Sequence, residues 1–578
     1  MLVFCHELVF EPEFATFVDL LRDRALQTPD RIAYRFLEDG ETESARLTYQ
    51  GLDQRARAIA AKLQRVLEVG ERVLMLYPPG LEFVSAFFGC LYAGAIAIPA
   101  TLPRRHETLS RLQVIINSAR PTVLLTALSF GSAIEGRCGE VPGLNALKWI
   151  ATDDFGDELA VPWQKPPLQR NTLAFLQYTS GSTGNPKGVM VTHGNLIHNS
   201  AAICQSFADT AESIGVTWLP PHHDMGLIGG LLQPLYVGAS TVLMSPLFFM
   251  QKPLRWLQAI SRYRATTSGG PNFAYDLCVS KITEASRQGL DLSCWQVAFV
   301  GAEPIRAATL ARFADAFAPY GFRREAFHPC YGLAENTLLV SGGEKLAPLV
   351  FFSVDRTTLA QNRILSFPAE PTGQQTLVSS GQSLLNQVAI ANPQTLAPCD
   401  GGEVGEIWVK GDSVAQGYWQ RPDATQQTFQ AYLSTGEGPF LRTGDLGFLH
   451  KGELYVTGRL KDLIIIRGQN YYPQDIELTV ENSHPALRHH GSAAFTVEDD
   501  EQERLIVVAE VERSYRRKLD RNHLVKQINQ AVAAQYALQI HAIALIKTGS
   551  LPRTSSGKVQ RLATRSSFLT GNLEILED

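Results

Sequence analysis

Tyr178-Thr179-Ser180-Gly181-Ser182-Thr183-Gly184-Asn185-Pro186-Lys187-Gly188 is the stretch on which the reading of this chain turns. It gathers glycines, hydroxyls and one lysine directly after the apolar, strand-like Leu173-Ala174-Phe175-Leu176. Such a loop can wrap an anion with backbone N–H groups and hydroxyls, and a nucleotide phosphate is the natural candidate. It is not a P-loop, because after Gly181 the chain runs Ser-Thr-Gly-Asn-Pro-Lys instead of placing Gly-Lys-Ser/Thr five residues on. The composition alone fits a polar surface turn as well, so the rest of the chain has to decide.

The chain has 578 residues, too many for one core at roughly 150 residues per domain. Hydrophobic residues at 45% and charged residues at 19% are those of a soluble globular protein. A net charge of -5 lacks the basic signature of a nucleic-acid binder. The eight cysteines, Cys5, Cys90, Cys138, Cys204, Cys278, Cys294, Cys330 and Cys399, include no C-x-x-C pair. That argues against a zinc site or a disulfide framework and points to a reducing cytoplasm. The start, Met1-Leu2-Val3-Phe4-Cys5-His6-Glu7, has no basic stretch ahead of an apolar run, so no signal peptide is expected. Two charge-free stretches, 83–103 and 225–251, reach the length of about 20 apolar residues that a bilayer requires. Glycine and proline cut both. In the first, Gly94 can end a helix and Ala95-Ile96-Ala97-Ile98 reads as a short buried strand, so soluble core and no transmembrane segment are expected.

In chain order, helices are expected over 17–25 and 52–63, around the strand Arg31-Ile32-Ala33-Tyr34-Arg35-Phe36. Strands follow at 72–77, 95–98, 122–125 and 148–151, with a helix from Leu81. Strands and helices alternating at this interval predict parallel, doubly wound units. Beyond the glycine-rich loop, Val189-Met190-Val191 leads into a helix at 195–207, and Val216-Thr217-Trp218-Leu219 reads as a buried strand running into Pro220-Pro221-His222-His223-Asp224-Met225-Gly226. Ligands of such sheets lie outside the carboxyl ends of strands, which favours His223 as a site residue. A histidine that merely caps a helix is a reasonable reading as well. Two more strand ends run into small-residue turns, Gly301-Ala302-Glu303-Pro304 and Tyr331-Gly332-Leu333-Ala334-Glu335-Asn336-Thr337. From Gly401 short alternating strands indicate a β-rich subdomain that contains Asp445. A last unit begins near Gly458-Arg459-Leu460-Lys461-Asp462. It has strands at 463–466, 492–497, 505–511 and 542–546, a helix at 521–536, and the basic loop Leu551-Pro552-Arg553-Thr554-Ser555-Ser556-Gly557-Lys558.

These pieces in this order resemble the acyl- and aminoacyl-adenylating superfamily, which includes acyl-CoA synthetases, nonribosomal adenylation domains and luciferases. Six motifs between Tyr178 and Lys558 match it, and the resemblance covers nearly the full length. The stretch from Trp218 to Gly230, Ser268-Gly269-Gly270-Pro271-Asn272-Phe273-Ala274-Tyr275, and the stretch from Ile466 to Glu477 resemble fatty acyl-AMP ligases in particular. In ordinary acyl-CoA synthetases the position of Tyr471 is usually isoleucine or valine.

The resemblance implies an α/β fold with a large N-terminal adenylating domain, residues 1–460, made of two doubly wound αβ subdomains and a β-rich one. A small mobile α+β C-terminal domain, residues 461–578, completes it. The implied reaction uses ATP and Mg2+ to join a fatty carboxylate to AMP. Both reactants are anionic, so positioning and charge neutralisation must do most of the catalysis. Carried over residue by residue, Thr179, Ser180, Gly181, Ser182, Thr183 and Gly184 would hold the β- and γ-phosphates, with Lys187 beside them. Glu335 would bind magnesium, with Thr337 as a second candidate. Asp445 would accept the ribose hydroxyls, and Arg459 would hold ribose or the α-phosphate. Gly301, Ala302, Glu303 and Pro304 would form the adenine slot with Tyr331, Gly332, Leu333 and Ala334, Tyr331 stacking on the base. Lys558 would be the catalytic lysine, bridging the substrate carboxylate and the α-phosphate, and His223 would stand near both. An acyl tunnel would pass Trp218 and run beside Gly229, Gly230, Gly269 and Gly270, where missing side chains leave room; these glycines serve equally as packing or turn positions.

Residues 343–375 exceed the connection expected in CoA synthetases and carry the apolar run Leu349-Val350-Phe351-Phe352. This resembles the insertion of fatty acyl-AMP ligases, which hinders the C-terminal domain from adopting the CoA-using arrangement. Phe351 and Phe352 should pack on something. The implied acceptor is then the phosphopantetheine thiol of a holo acyl carrier protein. A long-chain acyl-CoA synthetase is the alternative. A non-catalytic nucleotide-binding homologue should lack Glu335, Asp445, Arg459 or Lys558, and all four are present. Lys461 matches the family's hinge, where a few dihedrals absorb a domain rotation.

Overall fold

The predicted alternation of strands and helices resolves into two large sheets. A computed structural model describes residues 13–101, 110–136, 139, 141, 143–179, 186–364, 374–467, 469–499, 502–554 and 557–576. The six-stranded sheet runs, in space, Lys148–Ala151, Val123–Thr126, Arg72–Leu76, Ile96–Ala100, Leu173–Tyr178 and Gly188–Thr192. Its strands read as continuous apolar runs because both faces are covered. Along Arg72–Leu76, Val73 and Met75 enter one core while Leu74 and Leu76 enter another. The helix Leu81–Ala93 ends at Gly94, whose φ of 72° is left-handed, and Ile96–Ala100 follows as a strand. Among the described residues no helix is long and apolar enough to cross a membrane.

The nine-stranded sheet has a parallel centre, Phe327–Gly332, Val297–Val300, Thr267–Gly270, Ile214–Thr217, Ser240–Met244 and Ile32–Leu37, with antiparallel strands at both edges. The carboxyl ends of four of these central strands lead into Trp218, Pro271, Gly301 and Leu333. Trp218 and Leu219, expected inside a strand, lie just beyond its end at Thr217. A four-stranded antiparallel sheet follows, Gln387–Ala391, Gly405–Lys410, Leu441–His450 and Glu453–Arg459. The last elements form a three-stranded sheet, Leu487–Asp499, Gln502–Val511 and Ile540–Lys547, packed with the helices Pro473–Asn482, Arg521–Tyr536 and Arg561–Leu569 around cores of their own.

The strands that flank the glycine-rich stretch, Leu173–Tyr178 and Gly188–Thr192, are antiparallel neighbours with Tyr178 opposite Gly188. A Cβ on Gly188 would come within 2.9 Å of the Tyr178 ring, which accounts for that glycine.

The expected insertion contributes to a hairpin, Phe351–Asp355 against Gln374–Val378. Its residues alternate in burial. Phe352 packs on Phe448, His450 and Tyr455, at ring separations of 5.5, 4.6 and 5.6 Å. Phe351 points the other way and is 41% exposed, contrary to the expectation that both rings pack. The two-residue period of a strand forces this split.

Candidate active site

A cleft of about 2690 Å³ opens at the carboxyl ends of the central strands and is closed from the other side by the C-terminal unit. Asp445 anchors one end. It lies opposite Arg459 in the antiparallel pair Leu441–His450 and Glu453–Arg459. Its Oδ2 accepts from the Tyr331 hydroxyl at 2.8 Å, and its Oδ1 lies 3.1 Å from Arg459 Nε. Burial, and then the Asp445 charge, push the Tyr331 phenol far above its usual range, so it stays protonated and can donate to Asp445. The expected stacking residue thus also orients a carboxylate.

The two turns of the expected nucleotide slot are held by close backbone approach. A Cβ on Gly301 would meet the Cys330 carbonyl at 2.9 Å, and one on Gly332 would meet the Leu338 carbonyl at 2.0 Å. Ala302 has φ 68°, and Glu303 Oε1 accepts from Phe273 N at 2.6 Å. Pro304, Leu333 and Ala334 line the same cleft.

Glu335 stands farther along. Its Oε1 accepts from the Tyr418 hydroxyl at 2.8 Å, and the Lys187 ammonium sits 4.5 Å from the centre of the Tyr418 ring. Burial raises the Glu335 carboxyl, while Tyr418 draws it down. Burial lowers the Lys187 ammonium, and the nearby Lys461 lowers it further. Thr179 N donates to the Lys187 carbonyl at 3.1 Å. The expected phosphate ligands Ser180, Gly181, Ser182, Thr183 and Gly184 lie outside the described residues.

Thr337 is not brought to Glu335's side of the cleft. It is fully buried, its hydroxyl donates to the Ser413 carbonyl at 2.7 Å, and it is absent from the cleft wall. Its φ of 65° is left-handed, an unusual backbone for a β-branched residue.

Lys558 lines the same cleft. Burial lowers its ammonium, followed by Arg459, while Asp224, Glu303 and Asp445 act in the opposite sense. His223 faces the same space. Burial, and then His222, whose ring centre is 4.5 Å away, hold the His223 imidazole well below its normal range and hence neutral. Asp224 follows His223 directly, and its sequence pattern points to no role. It caps Met225–Leu232, accepting from Met225 N at 2.7 Å, and its carboxyl is raised by burial and lowered by Lys558. Tyr418 was also missed, since nothing in its neighbourhood in the sequence links it to Glu335, 83 residues away.

The apolar wall includes Ile203, Phe207, Met225, Gly229, Phe299 and Leu339. Trp218 lines it too, stacked on Phe249 at 3.9 Å. Gly230, Gly269 and Gly270 do not make room for a ligand. A Cβ there would meet Thr217 Oγ1 at 2.9 Å, the Phe299 carbonyl at 2.2 Å and the Trp218 ring at 2.7 Å, so they are packing positions. Of the four glycines expected along the tunnel, Gly229 alone lines the cleft. Lys461 lies in the short turn Leu460–Asp462, also at the cleft wall. Asp462 beside it accepts from Arg561 at 2.8 Å, and Arg561 forks onto both oxygens of Glu477 at 2.7 Å each.

Fold and cleft together define an enzyme that activates an acid with a nucleotide. The AMP-binding enzyme family matches residues 21–419, and a Disco-interacting protein 2-like AMP domain matches residues 461–578. The medium-chain-fatty-acid–[acyl-carrier-protein] ligase JamA of Moorena producens is 51% identical over 98% of this chain and 97% of its own. The fatty acyl-adenylate ligase of Legionella pneumophila, solved with acyl adenylate and pyrophosphate, is 43% identical with a TM-score of 0.77, covering 98% of each chain. A structure from a study of the fatty acyl-adenylate ligases of E. coli and L. pneumophila reaches a TM-score of 0.87 at 34% identity, over 97% of this chain and 98% of that one. The chain belongs to the AMP-binding enzyme family and, within it, to the fatty acyl-AMP ligases.

Proposed function

We propose that this enzyme joins a medium- or long-chain fatty acid to AMP, releasing pyrophosphate, and passes the acyl group to the phosphopantetheine thiol of an acyl carrier protein. The observation that carries the reading is the convergence on one cleft of Lys558, neutral His223, the Asp445–Arg459 pair and an apolar wall. In the first step a carboxylate oxygen bonds to the α-phosphorus of ATP and the bond to the β-phosphate oxygen breaks. Lys558 would neutralise the charge shared between carboxylate and phosphate, and neutral His223 adds no charge of its own. Asp445 would hold the ribose hydroxyls, and Arg459 the ribose or the α-phosphate. The slot at 301–304 and 331–334 would take the adenine. The loop at 179–184, with Lys187, would hold the outer phosphates.

Among the described residues no group of three or more His, Cys, Asp or Glu side chains converges to hold a metal. A single carboxylate, Glu335, would hold magnesium, which is commonly bound by one or two carboxylates plus substrate phosphates and would supply counter-charge to the phosphates. In the second step the carrier thiol attacks the acyl carbon, a thioester forms, and AMP leaves. We assign residues 1–460 to the adenylating part and 461–578 to the mobile part, with Lys461 as the hinge. Cys90, Cys204, Cys278, Cys294, Cys330 and Cys399 are all free thiols, which supports a cytoplasmic setting.

Incubation with fatty acid, ATP-Mg and either CoA or a holo carrier protein tests the acceptor. Carrier protein acylated as the thioester is the expected product, and efficient acyl-CoA formation would overturn the assignment. Lys558→Ala is expected to lose pyrophosphate release while keeping ATP binding; unchanged release would remove Lys558 from the chemistry.

A further inference from the structure

The C-terminal strand Leu487–Asp499 breaks register with Gln502–Val511 between Leu487 and Ser492, so the residues between them bulge. Two features fix the bulge. A Cβ on Gly491 would lie 2.8 Å from the Arg488 carbonyl, and His490 has φ 54°, a conformation that costs energy in any residue with a side chain. The result carries the His490 imidazole out of its own unit. Its Nε2 lies 3.0 Å from Oδ2 of Asp276, on the helix Asn272–Lys281 of the large unit.

Asp276 is held for this contact. Thr309 Oγ1 donates to its Oδ2 at 2.9 Å, and Arg312 pairs with its Oδ1. Burial pushes the Asp276 carboxyl up, but the His490 hydrogen bond and charge and the Arg312 guanidinium outweigh it and hold the carboxyl below its ordinary value. On the other side, the His490 carbonyl accepts from the Arg553 guanidinium, whose second nitrogen donates to the Gly557 carbonyl at 2.9 Å, next to Lys558. Glu510, fully buried, ties the same bulge to the same loop. One oxygen takes Arg488 at 2.7 Å, and the other takes Gly549 N and Leu551 N at 2.8 and 2.9 Å.

We propose that Asp276 and His490 are a positioning pair that latches the bulge to the large unit and, through Arg553, seats the Lys558 loop in the cleft for adenylation. The inference rests on the function proposed above. The latch bridges the two units, so it serves the half-reaction that needs Lys558 in the cleft and not the transfer of an acyl group already activated.

His490→Asn tolerates the left-handed backbone but is too short to reach Asp276, whereas His490→Gln can restore a donor near the position of Nε2. In the full-length enzyme, fatty-acid-dependent pyrophosphate exchange by the Asn variant should fall roughly 10- to 100-fold in kcat, the worth of a charge-assisted hydrogen bond, with the KM for ATP little changed. Acyl transfer from purified acyl-AMP to holo carrier protein should hold, and the Gln variant should recover most of the exchange. Equal loss in both half-reactions, no loss in exchange, or no recovery with Gln would each overturn the latch. Amide hydrogen exchange of residues 553–558 without substrates should quicken in the Asn variant and return in the Gln variant; unchanged exchange there rejects the latch whatever acid the enzyme activates. A parent enzyme that shows no fatty-acid-dependent pyrophosphate exchange would reject the functional reading instead, leaving the amide comparison to judge the latch.

Discussion

Gln375 Nε2 lies 3.2 and 3.1 Å from the two carboxylate oxygens of Asp475, joining the second strand of the insertion hairpin to the helix Pro473–Asn482 of the C-terminal unit. Burial pushes the Asp475 carboxyl up to about 6, with Gln375 acting against it. A carboxyl raised in the fold stabilises it fully below its unfolded value of about 3.9, and that stability is lost as pH rises through 6. Asp475→Asn is therefore expected to raise stability by up to ~3 kcal/mol at pH 7.5 and by little near pH 4. Denaturant melts at both pH values check the sign. Gln375→Ala should loosen the hairpin, and increased acyl-CoA formation is its expected readout.

The Tyr418 hydroxyl donates to Glu335 Oε1 at 2.8 Å. Tyr418→Phe removes a bond that favours the charged carboxylate, so the Glu335 carboxyl rises further. The acid limb of the pH profile for pyrophosphate release should move to higher pH, with a loss of about 10-fold on the acid side and less at pH 8. An unshifted profile would separate Tyr418 from the chemistry.

Phe207 ends the helix His193–Phe207 and lines the cleft, its ring stacked on Phe299 at 5.9 Å and edge-on to His328 at 4.7 Å. Phe207→Ala should shift the enzyme toward longer acids, each added buried CH2 contributing ~0.8 kcal/mol, or about 4-fold in kcat/KM. The ratio of kcat/KM for two chain lengths within the variant is the measurement, because the change also costs about 3–5 kcal/mol of stability.

His193 and His328 are buried, and desolvation lowers each imidazole to about 4. A base depressed in the fold stabilises it fully above its unfolded value of about 6.5, and that stability is lost as pH falls through 4. Each should withdraw about 3 kcal/mol of stability between those values. Denaturation midpoints between pH 7 and 4.5 should therefore fall, and His328→Gln should flatten the slope.

Much of the architecture was legible because it is locally encoded. The strand Lys148–Ala151 and the helix Arg521–Tyr536 have the predicted bounds, and Gly94 separates helix from strand as its position suggested. Asp445 and Arg459 could be matched to a motif, and they meet because the two antiparallel strands that carry them put them opposite each other. The exceptions depend on which way a side chain points. Phe351 and Phe352 are neighbours in sequence and on opposite faces of a strand. Thr337 is two residues from Glu335 yet faces Ser413.

The sequence by itself determined the order of elements, the adenylating family and the glycine-rich stretch from Tyr178 to Gly188 as part of its signature, because periodicity, turn residues and motif spacing are properties of short segments. The tertiary structure alone decided that the strands on either side of this stretch pair antiparallel, that Gly230, Gly269 and Gly270 are packed against Thr217, Phe299 and Trp218, and that Asp224, Tyr418, Asp276 and His490 stand where they do. Each of these depends on a partner brought near by folding, and no local pattern carries the identity of a partner dozens or hundreds of residues away.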